Sequence, residues 1–223
     1  MSIQKSEPQL KVNGKSVATY LAQPENGGPG ILLLHAWWGL KPFFKLVCDR
    51  LAGQGFITLA PDLRNGEIAR TVDEAKALME KSDDHFTGEI VTSASNYLLG
   101  LPNRKGQKIG VIGFSMGANW ALNVASSIPG QVAASVLVYG AGEADFTKIK
   151  SRVIGHFSDV DEWEQFDYVK QMESRMKASG VDVQLYVYPG RAHWFVEEDR
   201  PEYDPVAAAL LWDRTYGFLK RNL

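Results

Sequence analysis

Short apolar runs alternate with amphipathic segments along the whole chain. "LKVNGKSVATYLA" alternates apolar and polar positions around Asn13-Gly14, the favoured dipeptide of a two-residue hairpin, and predicts two antiparallel strands. "GILLLH" is a continuous apolar run, the pattern of a strand buried on both faces. Residues 41–53 place Phe44, Val47, Cys48 and Leu51 at helical spacing, and Gly53 and Gly55 end the segment. "FITLA" predicts the next strand, stopped by Pro61, and two helices follow over 71–81 and 87–99. Beyond them come strand "KIGVIGF", a helix over 116–127, strands "AASVLVYG" and "RVIGHF", a helix over 162–179, strand "DVQLYVYP" and a helix over 205–221. Strands separated by helices imply parallel pairing through right-handed crossovers. The expected fold class is α/β: one domain over 1–223, a mostly parallel central sheet with helices on both faces, and an N-terminal antiparallel hairpin.

Composition narrows this picture. The 223 residues can bury a substantial core, and 45% hydrophobic with 22% charged residues is ordinary for a globular protein. A net charge of −2 gives no reason to expect nucleic acid or an anionic membrane surface as partner. Apolar runs such as "ILLL" and "AAALLW" fall far short of a membrane span, and "MSIQKSEPQ" lacks the apolar stretch of a signal peptide. The single cysteine, Cys48, permits no internal disulfide and reads as small core packing. A reducing cytoplasm is the expected compartment.

The chemistry begins at "GVIGFSMGAN". Gly113-Phe114-Ser115-Met116-Gly117 is a G-x-S-x-G sequence between a predicted strand and a predicted helix. That context suits a strained turn that lifts a serine hydroxyl above the sheet, where ligands of open α/β sheets bind. The helix behind Ser115 also points its positive end at developing negative charge. Short glycine patterns arise often by chance, and the strand-before, helix-after context is what favours the catalytic reading. A nucleotide-binding reading of "GAGEAD" is weaker, since Asp145 stands where the third glycine of G-x-G-x-x-G belongs.

A nucleophilic serine needs a base, and the base needs an orienting acid. Of the four histidines, His35 ends a strand, His85 lies in polar "KSDDHF" and reads as solvated, and His156 inside "RVIGHF" reads as a satisfied buried histidine. His193, in "YPGRAHWF" after the final strand, lies at the strand end where Ser115 is expected. Its position matches the order serine, acid, histidine of α/β-hydrolases, so His193 is the candidate base. "GHFSDVDEW" offers Asp159 and Asp161 as acids, with Asp145 a third candidate, and spacing alone does not choose among them. Each could equally serve as a turn or helix-cap aspartate.

At these residues the chain resembles the dienelactone hydrolase family. The resemblance runs through "LLLHAWWGL", "FITLAPDLRNG", "IGVIGFSMGAN", "IGHFSDVDEW" and "YPGRAHWF". It implies Asp161 as the acid, backbone N–H groups of Trp37 and Met116 as the oxyanion hole, and an α/β-hydrolase domain without a large lid. Three departures stand out. Ser115 replaces the family's cysteine nucleophile, and Ala36 replaces the glutamate that helps switch on the thiol. Glu197 stands where an arginine shortly after the catalytic histidine holds the substrate carboxylate, and Glu198 and Asp199 follow it.

Trp37, Trp38, Phe114, Trp194 and Phe195 cluster around the inferred site and suggest an apolar acyl or alcohol pocket, against ordinary packing for each taken singly. The expected activity is that of a serine hydrolase acting on a small-molecule ester or lactone, with Ser115, His193 and Asp161 as triad. No histidine, cysteine and carboxylate cluster has metal-ligand spacing, so neither metal nor organic cofactor is expected. A binding module on a retained fold, or an acyltransferase using the same triad, are the alternatives.

Overall fold

The chain first reverses at Asn13 and Gly14, which both take left-handed backbone angles, φ 47° and 78°. Such a turn matches the right-handed twist of the strands it joins. The computed structural model describes residues 2–223. It divides the chain into two compact units, Met1–Ile109 and Gly110–Leu223.

The first unit opens with β1 (Ile3–Ser6), β2 (Gln9–Val12) and β3 (Lys15–Pro24). β2 and β1 both pair antiparallel with β3, so the expected hairpin carries a third, unpredicted strand. β1 is largely exposed and polar, which leaves no hydrophobic pattern to read. β4 (Gly28–Leu34) pairs parallel with β5 (Ile57–Pro61), and β5 pairs antiparallel with β3. Ile31 to Leu34 are all completely buried, each contributing about 1.5–3 kcal/mol of apolar transfer. Helix α1 (Pro42–Gly53) packs Val47, Cys48 and Leu51 onto β3 and β5. α2 (Val72–Glu80) starts at a capping box between Thr71 and Glu74, and α3 (Asp84–Leu99) starts at Asp83.

The chain enters the second unit within β6 (Arg104–Phe114). β7 (Val132–Val138), β8 (Arg152–Phe157) and β9 (Val183–Val187) follow, with β7–β8 and β8–β9 parallel. α4 (Met116–Ser127) packs on β7, α5 (Phe166–Ala178) on β9, and α6 (Pro205–Asn222) on β7 and β8. Asp204 caps α6 by accepting the Ala207 N–H at 2.8 Å. Three starts move: α3 begins at Asp84 where 87 was expected, β6 at Arg104 ahead of "KIGVIGF", and the helix expected from 162 begins at Phe166, because residues 161–164 form a turn built on the Asp161 carboxylate. Among the described residues no helix is long and apolar enough to cross a membrane.

Candidate active site

Ser115 caps α4 with φ 49° and ψ −117°, a conformation sparsely allowed for any residue with a side chain. Its N–H donates to the Val138 carbonyl at 2.9 Å and its carbonyl accepts from Ala118 at 2.8 Å, so the strained turn is held from both sides. A side chain at Gly113 would collide with the backbone of Gly117 and Ala118. Those glycines answer a close crossing of backbone, the physical reason the sequence spaces them around Ser115.

The serine hydroxyl lies 2.9 Å from His193 Nε2. On the other side of the ring, His193 Nδ1 donates to Asp161 Oδ2 at 2.7 Å. Both partners are nearly sealed from solvent, with side-chain exposures of 4% for His193 and 1% for Asp161. The other Asp161 oxygen accepts the N–H groups of Trp163 and Glu164 at 2.8 and 2.9 Å. Asp161 thus performs the turn-capping task and still aims one oxygen at the imidazole. Asp159 accepts the Gly190 N–H at 2.7 Å and braces a turn. Asp145 caps the short turn at Phe146–Lys148. The three carboxylates left open by spacing therefore occupy distinct places, and Asp161 is the one against His193.

Glu164 is a carboxylate that sequence reading did not single out. It accepts the Ala141 N–H at 2.8 Å, and its burial holds its pKa above the ordinary carboxylate range, partly offset by that bond. Asp161 nearby pushes the same way as burial, and His193 pulls against it. No local pattern marks it, because the closeness is created by the turn after β8.

The other three histidines lie elsewhere. The His85 side chain is 85% exposed on α3. His35 Nδ1 donates to the Ala36 carbonyl at 2.6 Å while Nε2 accepts the Leu63 N–H at 2.9 Å, a neutral ring with both nitrogens used. His156 bonds Tyr188 and Thr215 at 2.9 and 3.1 Å. Burial pushes the pKa of His35 down to about 4 and that of His156 down to about 3, from an ordinary 6.5. The unfolded chain therefore takes up protons below pH 6.5 that the folded chain refuses, and stability falls as pH drops from there toward 4 and 3. Each histidine accounts for about 1.4 kcal/mol per pH unit in that window. The thermal midpoint should drop steeply between pH 6.5 and 4; a flat profile there contradicts neutral burial of the two rings.

The aromatic residues separate into wall and core. Phe114 and Phe195 have no exposed surface. The Phe114 ring packs on Tyr139 and Trp212 at 5.9 and 6.3 Å, and Phe195 on Tyr188 and Tyr139 at 5.0 and 6.3 Å. Both rings are packed among neighbouring aromatic side chains of the second unit. Trp37 and Trp38 belong to the first unit, edge to face at 5.4 Å, and Trp38 is completely buried as well. Trp194 lies edge-on to His193 at 5.3 Å and against Trp163 at 5.5 Å. Trp163 is 39% exposed and was not in the predicted cluster. Its position in the Asp161 turn, two residues from the acid, was the available signal.

Comparison with known proteins places the chain in a family. The pattern of the dienelactone hydrolase family matches residues 17–223. Protein usf of Aquifex pyrophilus is 33% identical over 96% of this chain and 97% of its own length. Two solved structures share the α/β fold. A dienelactone hydrolase-like promiscuous phosphotriesterase from metagenomic libraries has a TM-score of 0.88 at 20% identity, covering 100% of this chain and 99% of its own. Dienelactone hydrolase from Anabaena variabilis has a TM-score of 0.76 at 19% identity, covering 100% of both chains. With its mostly parallel α/β architecture and the family pattern running from β3 to its last residue, this chain is a hydrolase that belongs to the dienelactone hydrolase family.

Proposed function

We propose that this protein is a serine hydrolase that cleaves small neutral esters or lactones through an acyl-enzyme. The observation that carries the reading is the hydrogen-bonded run from Ser115 through His193 to Asp161, at 2.9 and 2.7 Å. Ser115 Oγ attacks the substrate carbonyl as His193 Nε2 takes its proton, and His193 then returns that proton to the leaving alcohol. Asp161 holds the Nδ1–H tautomer and stabilises the imidazolium formed in between. Met116 opens α4, so its N–H lies at the positive end of a helix, where the tetrahedral oxyanion develops. Water completes the cycle by attacking the acyl-enzyme, and Trp163 and Trp194 supply apolar wall beside the base.

A preference for neutral substrates is supported by where the local charges go. Arg191 pairs with Asp204 at 3.1 Å. Arg200 reaches Glu202 at 3.2 Å while its guanidinium lies 4.5 Å over the Trp194 ring. Both arginines near His193 thus have carboxylate partners of their own. Glu197, at the position the resemblance gives to an arginine, is completely buried, so that position offers an incoming carboxylate no cation.

The test pairs a fluorophosphonate probe, with mapping of the modified residue, with kcat/KM for two substrate types on one preparation. Label is expected on Ser115, with turnover of p-nitrophenyl acetate or butyrate at least about tenfold more efficient than of a dienelactone carboxylate. An unlabelled Ser115 overturns the hydrolase reading. A clear preference for the anionic lactone overturns the substrate reading and points to Arg200 or Arg191 as its clamp.

A further inference from the structure

Tyr139 follows β7 directly and has no exposed surface. Its φ of 37° lies in the left-handed region, costly for a bulky aromatic residue, and such strain persists only where the surroundings impose it. The surroundings here belong to the catalytic turn. The residue before it, Val138, accepts the Ser115 N–H at 2.9 Å, and a side chain on the residue after it, Gly140, would strike the Ser115 backbone. Tyr139 itself donates its N–H to the His156 carbonyl at 2.8 Å. Its ring is turned toward His193, with centroids 4.8 Å apart and planes 58° apart. Its hydroxyl donates to Glu197 Oε1 at 2.5 Å, inside a completely buried environment. Burial and the neighbouring carboxylate push the Tyr139 pKa well up, so the group stays a phenol and a donor at any working pH.

Glu197 belongs to the loop that carries the base. That loop is knitted by its own backbone, with Glu197 donating to Trp194 at 2.9 Å, Arg200 to Glu197 at 2.9 Å and Asp204 to Phe195 at 2.9 Å. Through Glu197 and Tyr139 it is tied to the segment that holds Ser115. A histidine that first takes and then returns a proton must keep Nε2 on the serine while its charge changes. Asp161 restrains the ring at Nδ1 only, which leaves rotation about that bond to be limited by what touches the ring faces.

We propose that Tyr139 and Glu197 form a positioning pair for the catalytic histidine. The Glu197 carboxylate holds the Tyr139 hydroxyl, and the Tyr139 ring holds the imidazole of His193 on Ser115. This inference rests on the hydrolase reading above.

The experiment is steady-state hydrolysis of p-nitrophenyl butyrate by Tyr139→Phe, Glu197→Leu, Glu197→Gln and the double variant Tyr139→Phe/Glu197→Leu, with circular dichroism melts of each. Tyr139→Phe and Glu197→Leu should each lower kcat about tenfold, a part of what general base catalysis contributes. KM should stay within about twofold, since neither group touches substrate. Glu197→Gln keeps an oxygen acceptor and should recover most of the rate. The double variant should be no slower than the slower single variant, because one interaction is removed twice. Wild-type kcat in folded Tyr139→Phe overturns the proposal. So do losses that multiply in the double variant, or a Glu197→Gln enzyme as slow as Glu197→Leu. If Tyr139→Phe does not fold, the comparison of Glu197→Leu with Glu197→Gln decides by the same criteria. A wild-type protein that neither labels at Ser115 nor turns over ester overturns the hydrolase reading itself, whereas a labelled, active wild type with indifferent variants overturns only the positioning pair.

Discussion

Replacing Ser115 by alanine should lower kcat for p-nitrophenyl acetate by about 10⁶-fold, the scale seen when the nucleophile of a serine hydrolase triad is removed. The expectation follows from geometry: among the described residues Ser115 is the hydroxyl bonded to His193 Nε2, at 2.9 Å, and so the one the base would activate. Fluorophosphonate labelling should vanish with the activity. The thermal midpoint should hardly change, because alanine inherits the same strained φ of 49° and loses only one hydrogen bond. Retention of more than a thousandth of the wild-type rate, in protein free of wild-type carry-over, would mean that another residue attacks the ester.

Asp161→Asn should cost about 10⁴-fold in kcat, by analogy with the same change in serine proteases. The amide can still accept the Trp163 and Glu164 N–H groups through its oxygen, so the turn survives. Its nitrogen then faces His193 Nδ1 as a donor and favours the tautomer with the proton on Nε2, which cannot accept from Ser115. Asp159→Asn provides the contrast. Its amide oxygen can keep the 2.7 Å bond to Gly190, and kcat should stay within about twofold. Equal, mild losses in the two variants would remove Asp161 from the role of orienting acid.

Half of the α-helix starts announce themselves in short stretches: Thr71 with Glu74, Asp83, and Asp204 with Pro205 are local capping signals that the structure uses as such. Parallel order was legible in the same way, since "GILLLH" and "RVIGHF" have the continuous apolar content of strands covered on both faces. G-x-S-x-G was legible because its glycines answer a backbone crossing between residues only a few positions apart. These features depend on neighbours in sequence, so the sequence alone determines them. What it left open depends on residues brought together from far apart. Asp159 and Asp161 are two residues apart in similar surroundings, and only the way the turn after β8 meets the loop after β9 decides which one reaches His193. The aromatic cluster read as one group, yet tertiary packing assigned Phe114 and Phe195 to the core and brought forward Trp163. Glu197 shows the limit most clearly. By resemblance it stands at a substrate-binding position in an acidic run, but the fold buries it against a tyrosine 58 positions earlier. A carboxylate accepts such burial only where a donor meets it, and that donor exists only once β7 and the histidine loop have come together.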